Sequence, residues 1–356
     1  MIKGRTLHYK INSFSSIILL ILISSCNAQT SNGDLQNVIS SREIVSQNST
    51  LQINPINAQI SQVVRTVFQD SKGDVWFGTQ NGAFRLKGKS LTHIDGIKSE
   101  SGKGVTIKDI AEDNDGKIWF GHTGGISVFD NESITNYYES DGLLNNDVWC
   151  ISTDRNNYIW IGTLEGVCKF DGSHFTAFEI PEGKIDTTVG VSSTKMIHDI
   201  MEDSRGRMWF STNGGVYIKD NDLLSNISEK DGLKTGSVNQ VIEDKNGSFW
   251  ISTPKGLFYL HGESLINKTE ILFEDSIGTG SIVEDSKGNI WFNCSRSIYS
   301  LNGSKLTEYR IEEGNYGPLT FHIYQDRQKR LWFVGYGGAF RYENDKFLNI
   351  TKNGPF

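Results

Sequence analysis

An all-β fold, a seven-bladed β-propeller with four antiparallel strands per blade, is predicted by three observations. A tryptophan recurs seven times at near-constant spacing, an aspartate stands six residues before each one, and four short β-rich runs fill every interval. Trp76, Trp119, Trp160, Trp209, Trp250, Trp291 and Trp332 lie 43, 41, 49, 41, 41 and 41 residues apart. Four strands in roughly 42 residues is the size of one propeller blade. A blade alone cannot cover both of its faces; stacked around an axis, each covers its neighbour, and the Trp is a large apolar plug for that seam. No segment sustains a 3.6-residue apolar period, which excludes a helical solenoid.

Each unit justifies its own strands and turns. The repeat aspartates are Asp70, Asp113, Asp154, Asp203, Asp244, Asp285 and Asp326, and three residues after each comes Gly73, Gly116, Asn157, Gly206, Gly247, Gly288 or Lys329. Gly and Asn tolerate positive φ and Asp can accept from the backbone two residues on, so Asp-x-x-Gly is a tight hairpin turn. Lys329 departs from this, and its turn is expected to be strained or of another type. Six residues after the Trp, Gly82, Gly125, Gly166, Gly215, Gly256, Ser297 and Gly338 mark a second turn. Val67, Ile110, Ile151, Ile200, Val241, Ile282 and Ile323 stand three before the Asp. Repeats run from about 62 to 351 within a propeller domain spanning 51–356. The last repeat has its own fourth run at 346–350, so the ring can close by packing of blade 1 on blade 7; residues 51–60 leave an added strand open.

The N-terminus reads as an address. Lys3, Arg5 and Lys10 precede a short apolar run from Phe14 to Ile23, too short to span a bilayer, where about 20 apolar residues are needed. Ile23-Ser24-Ser25-Cys26 then resembles a bacterial lipobox, making residues 1–25 a signal peptide, Cys26 the lipid anchor and residues 26–50 a polar tether. Asn27, rather than Asp, after the cysteine points to the outer membrane of the cell envelope. The chain from Cys26 onward carries 32 basic against 42 acidic side chains, a balance that argues against nucleic acid. Cys150, Cys168 and Cys294 are too few for a disulfide framework, and Cys294 reads as a buried, inert thiol.

The repeat itself, as in Ile-Ala-Glu-Asp-Asn-Asp-Gly-Lys-Ile-Trp-Phe-Gly-His (110–122) and Ile-Met-Glu-Asp-Ser-Arg-Gly-Arg-Met-Trp-Phe-Ser-Thr (200–212), resembles the two-component regulator propeller repeat. The resemblance covers all seven units. It implies an extracytoplasmic sensor propeller of the kind found in hybrid two-component systems, associated with glycan fragments, here expected to lack its own signalling output.

Propellers bind where loops converge at one mouth of the channel. The innermost strand of each blade should be the run ending at the repeat Asp, which places the residues four and five before it near the mouth. Position five reads Arg65, Lys108, Trp149, His198, Asn239, Gly280 and Phe321; position four reads Thr66, Asp109, Cys150, Asp199, Gln240, Ser281 and His322. Variation at these two positions, between regular apolar neighbours, is the pattern of a site grafted on a scaffold. Turn residues on the same face add Gln80, Asn81, Glu165, Asn213, Lys255, Arg296 and Tyr336, and the long segment 179–196 before blade 4 is a candidate specificity loop.

Ligand binding therefore falls to Arg65, Lys108, Trp149, His198, Asn239, Arg296, Phe321, His322 and Tyr336. Aromatic rings would stack on an apolar sugar face, and polar groups would bond hydroxyls or a carboxylate. Trp149 is the one Trp outside the repeat series. Two alternatives stand beside this: a lyase- or hydrolase-like site built from Asp109, His198, Asp199 and His322, and a rim that docks another envelope protein. No cofactor or metal is expected; Asp113-Asn114-Asp115-Gly116 looks like a calcium loop but falls on the shared hairpin turn. The expected partner is a small molecule or oligosaccharide, bound by a monomer.

Overall fold

The computed structural model describes residues 56–184, 192–273, 277–294, 297–309 and 319–356. Among these residues 28 strands, β1–β28 in chain order, form seven separate four-stranded antiparallel sheets. Blade 1 is β1 (Val64–Gln69), β2 (Val75–Thr79), β3 (Gly82–Lys87) and β4 (Ser90–Ile94), hydrogen-bonded in that order. The other six repeat this meander. The innermost strands are β1, β5 (Ile107–Glu112), β9 (Val148–Thr153), β13 (Ile197–Glu202), β17 (Gln240–Glu243), β21 (Ile282–Glu284) and β25 (Leu319–Gln325), which line the axis and pack on one another.

The Asp and Trp of each repeat are joined. One carboxylate oxygen of Asp70 accepts from the backbone N–H groups of Lys72 and Asp74, closing the turn, while the other accepts the Trp76 indole N–H at 2.9 Å. The same indole bond recurs at Asp113, Asp154, Asp203, Asp244, Asp285 and Asp326, at 2.8 to 3.1 Å. A side chain that shapes the hairpin therefore also aims the ring. The rings enter the seams: Trp76 meets Phe120 and Phe129 of blade 2, and Trp332 meets Phe77 of blade 1.

Seven apolar clusters result, one per seam, including the seam between blades 7 and 1. Gly78 and Gly162, each on the second strand of its blade, let the next blade's inner strand come close. A Cβ at Gly78 would lie 2.8 Å from Ile107 Cγ2 of the next blade, and one at Gly162 2.7 Å from Ile197 Cγ2. At the second turn Thr79 Oγ1 donates to the Gly82 carbonyl and accepts from Asn81 N–H, and Thr163, Thr212 and Thr253 do the same in their blades.

Among the described residues the ring closes without a borrowed strand. Gly337 N–H donates to the Gln62 carbonyl and Lys352 N–H to the Ala58 carbonyl, each at 2.9 Å, and isolated bridges join Gln59 to Thr351 and Val63 to Tyr336. One feature was not anticipated: a short helix, α1 (Lys268–Phe273), sits between blades 5 and 6. Its Leu272 and Phe273 pack against that seam's cluster. Cys150, Cys168 and Cys294 are buried. The residues read as leader, lipid anchor Cys26 and tether lie outside the described residues.

Lys329 corrects the expectation of another turn type. Its turn matches the others, with Lys329 N–H donating to the Asp326 carbonyl at 2.8 Å, and the chain holds Lys329 at φ +66°. The left-handed region costs a residue with a Cβ roughly 1–2 kcal/mol. Lys329→Gly should therefore raise stability by about 0.5–1 kcal/mol in urea unfolding, because glycine's extra freedom in the unfolded chain offsets part of the gain.

Candidate functional site

At the end of the channel opposite the Asp turns, five inner strands carry a β-bulge. In blade 1, Val64 pairs with Thr79 and Thr66 with Gly78, so Arg65 has no cross-strand partner. The same skip leaves Lys108, Trp149, His198 and Phe321 unpaired. In blades 5 and 6 the inner strand begins after Asn239 and Gly280. Regular strands send successive side chains to opposite faces; a bulge re-aims one of them. Consequently both variable positions of all seven blades line one cavity of about 390 Å³ at the mouth.

The two positions do different work. Position four is an interblade latch. Asp109 accepts from Ile110 N–H of its own blade and Ile151 N–H of the next, both at 2.8 Å. Asp199 likewise serves Ile200 N–H and, at 3.4 Å, Val241 N–H. Gln240 accepts from Ile282 N–H at 2.8 Å, Ser281 from Ile323 N–H at 3.0 Å and His322 Nδ1 from Val67 N–H at 3.4 Å. All seven N–H groups three residues before the repeat Asp are thereby satisfied. Thr66 and Cys150 serve none of them. Each stands in front of a blade whose position four is a carboxylate, and its two oxygens cover both duties.

Position five is free of that work and is chemically polarised. Phe321, Arg65, Lys108 and Trp149, from blades 7, 1, 2 and 3, follow one another around the ring. Arg65 lies over the Phe321 ring at 4.8 Å and Lys108 Nζ over the Trp149 ring at 3.5 Å. Asp147 pairs with Lys108 at 2.5 Å and accepts the Trp149 indole N–H at 3.1 Å. Burial lowers the pKa of both cations. The facing arc is His198, Asn239 and Gly280. His198 Nε2 bonds Asn213 at 2.8 Å and Asn239 donates to the Thr279 carbonyl at 2.7 Å. Gly280 is small for a reason: a Cβ there would lie 2.8 Å from Asn293 Oδ1.

Among the remaining sequence candidates, Tyr336 stands half-exposed just outside, its ring 5.3 Å from Phe321. Arg296 lies outside the described residues, as do residues 185–191 of the candidate specificity loop, whose described flanks do not line the mouth. Gln80, Asn81, Glu165 and Lys255 share the face but not the cavity. Asp109, Asp199 and His322, the alternative catalytic set with His198, face the cavity, but their acceptor atoms hold backbone N–H groups. Among the described residues no three His, Cys, Asp or Glu side chains converge to hold a metal. The sequence pattern does not separate the two rings, since Asp, Gln, Ser and His look like functional variety while all serve as acceptors.

Segments 58–81, 101–124, 142–165, 190–214 and 232–255 match the two component regulator propeller family. No curated protein matches the sequence. The fold is similar to the extracellular domain of a hybrid two component system of B. thetaiotaomicron, 24% identical with a TM-score of 0.63, over 84% of this chain and 41% of that one. A second such domain from the same organism is 17% identical, TM-score 0.62, over 82% and 39%. The chain thus spans about two fifths of those two domains. Virginiamycin B lyase from Staphylococcus aureus shares the fold at 14% identity, TM-score 0.61, over 82% of this chain and 96% of the lyase.

Position four also sets a pH signature. Burial at the cavity floor raises Asp109 and Asp199 to about 7 against the opposing pull of their N–H donors, while burial lowers His322 to about 4 and His122 to about 3. Between about pH 4 and 7 the folded state binds protons on the carboxyls that the unfolded chain releases, so their contribution to stability falls as pH rises. The two histidines act oppositely, losing stability as pH falls below about 6.5. Wild-type stability minus that of Asp109→Asn/Asp199→Asn, measured by urea unfolding, should therefore decline from pH 4 to 7 and level off above.

Proposed function

We propose that this chain, a propeller of two-component regulator repeats, is a sensor-like module that binds a small polar ligand at the channel mouth. The observation that carries the reading is the division of labour at the mouth. Position four spends its polar atoms on the seven inner-strand N–H groups, whereas position five satisfies none of them and brings residues from all seven blades to one cavity. Two preassembled cation–aromatic pairs stand there. Polar groups on rigid strands, around a concave site of about 390 Å³, are the usual makings of a small-molecule pocket. The similar propellers in the B. thetaiotaomicron structures belong to extracellular domains. That supports an extracytoplasmic address here, in keeping with the leader and lipobox; the finer proposal is an outer-membrane lipoprotein anchored through Cys26.

Two measurements test this. A thermal-shift screen of the purified protein against small oligosaccharides, sugar acids and short peptides should find a stabilising ligand, worth about 2.7 kcal/mol at a hundred times its Kd. Trp149→Ala should weaken that binding by about 1–3 kcal/mol while leaving the urea midpoint nearly unchanged. A lowered midpoint with unaltered affinity would make Trp149 a packing residue. Separately, Cys26→Ala should move the protein from the membrane to the soluble fraction on cell fractionation; retention in the membrane would refute the lipid anchor.

A further inference from the structure

The mouth is not electrically balanced, and the imbalance has a location. Lys108 already holds Asp147 and lies on Trp149. Arg65, one blade away, makes no hydrogen bond or ion pair among the described residues; its guanidinium lies over the face of Phe321, and Asp147 acts on it only at longer range. A guanidinium carries five N–H donors and cannot shed its charge. Half-buried in the cavity wall, it leaves those donors to water or to whatever enters.

We infer that the ligand carries a carboxylate, received by Arg65, with the rest of the molecule lying toward the Asn239 and Gly280 side of the mouth. This rests on the mouth being the binding site, as proposed above. Charge supports it: Arg65 and Lys108 against Asp147 leave one positive charge on this arc. The other carboxyls facing the cavity, Asp109 and Asp199, are committed to backbone N–H groups and held high by burial. Geometry supports it too. Phe321 backs the guanidinium at 4.8 Å, and a planar fork pairs with both oxygens of a carboxylate in a way that a lysine ammonium does not. On the far arc Gly280 offers room where every other blade offers a side chain, and the amide oxygen of Asn239 can accept from hydroxyl or amide groups. A sugar acid and the free C-terminus of a short peptide both present this chemistry.

Matched probes separate charge from shape and one source from the other. Galacturonic acid is set against galactose, and a dipeptide with a free C-terminus against its amide, each titrated calorimetrically into the purified protein up to about ten millimolar. The acid of at least one pair should bind and its neutral partner should bind at least tenfold more weakly. Arg65→Gln should weaken the acid on the order of 30-fold or more, and Arg65→Lys should fall between, keeping charge without the fork. Circular dichroism and urea midpoints of both variants should match wild type. A neutral probe that binds as tightly as its acid, and equally well in Arg65→Gln, overturns the carboxylate assignment; if Trp149→Ala still abolishes that binding, the mouth stands. Binding indifferent to both positions refutes the mouth as well, and no response to any acid overturns the carboxylate assignment.

Discussion

The bond from the Trp indole N–H to the repeat aspartate is the interaction on which the rest of this structure depends. A carboxylate has two oxygens, and the fold uses them for different scales of order. One oxygen gathers backbone N–H groups and closes the hairpin between the first and second strands of a blade. The other fixes the direction of the largest side chain in the repeat, sending it into the seam with the next blade. Local turn geometry and interblade packing are thereby coupled in one residue, seven times over. With the apolar clusters distributed over seven seams, each blade is stable only because its neighbours are present, and closure between blades 7 and 1 completes the last of them.

The same economy of atoms operates at the opposite end of the inner strands. There the bulge turns two consecutive residues toward the axis, and the strands need an acceptor for one backbone N–H per blade. Five different side chains meet that need for seven blades, Asp109 and Asp199 each covering two. Once the latch is complete, the adjacent position can vary without loosening the ring. A binding surface can thus be altered one blade at a time on an unchanged scaffold, and here the alteration produces a cationic, aromatic arc facing a smaller, polar one.

Much of this was legible in the sequence because it repeats. Strand number, blade number, turn positions and the two variable positions follow from spacing alone, and Trp149 stood out because the repeat did not account for it. Four things were hidden. The Asp–Trp bond was invisible because a constant six-residue spacing is explained equally well by a turn and a plug that never touch. The latch was hidden by chemistry: Asp109, Gln240, Ser281 and His322 differ as residue types but are the same as acceptors. At Lys329 the sequence left strain and another turn type open; backbone hydrogen bonding keeps the shared turn and accepts a positive φ that costs about 1–2 kcal/mol. The polarity of the mouth depends on which blade neighbours which around a closed ring, and that order becomes meaningful only once the ring is known to close between blade 7 and blade 1.

The most direct test of this division between latch and binding surface is a crystal structure with a ligand identified by its thermal shift. The ligand should lie in the mouth against position-five side chains, Arg65 and Trp149 among them, with the seven latch hydrogen bonds of position four intact. A ligand seated in a seam or on the rim, or one that displaces Asp109, Asp199 or His322 from its N–H donor, would contradict it.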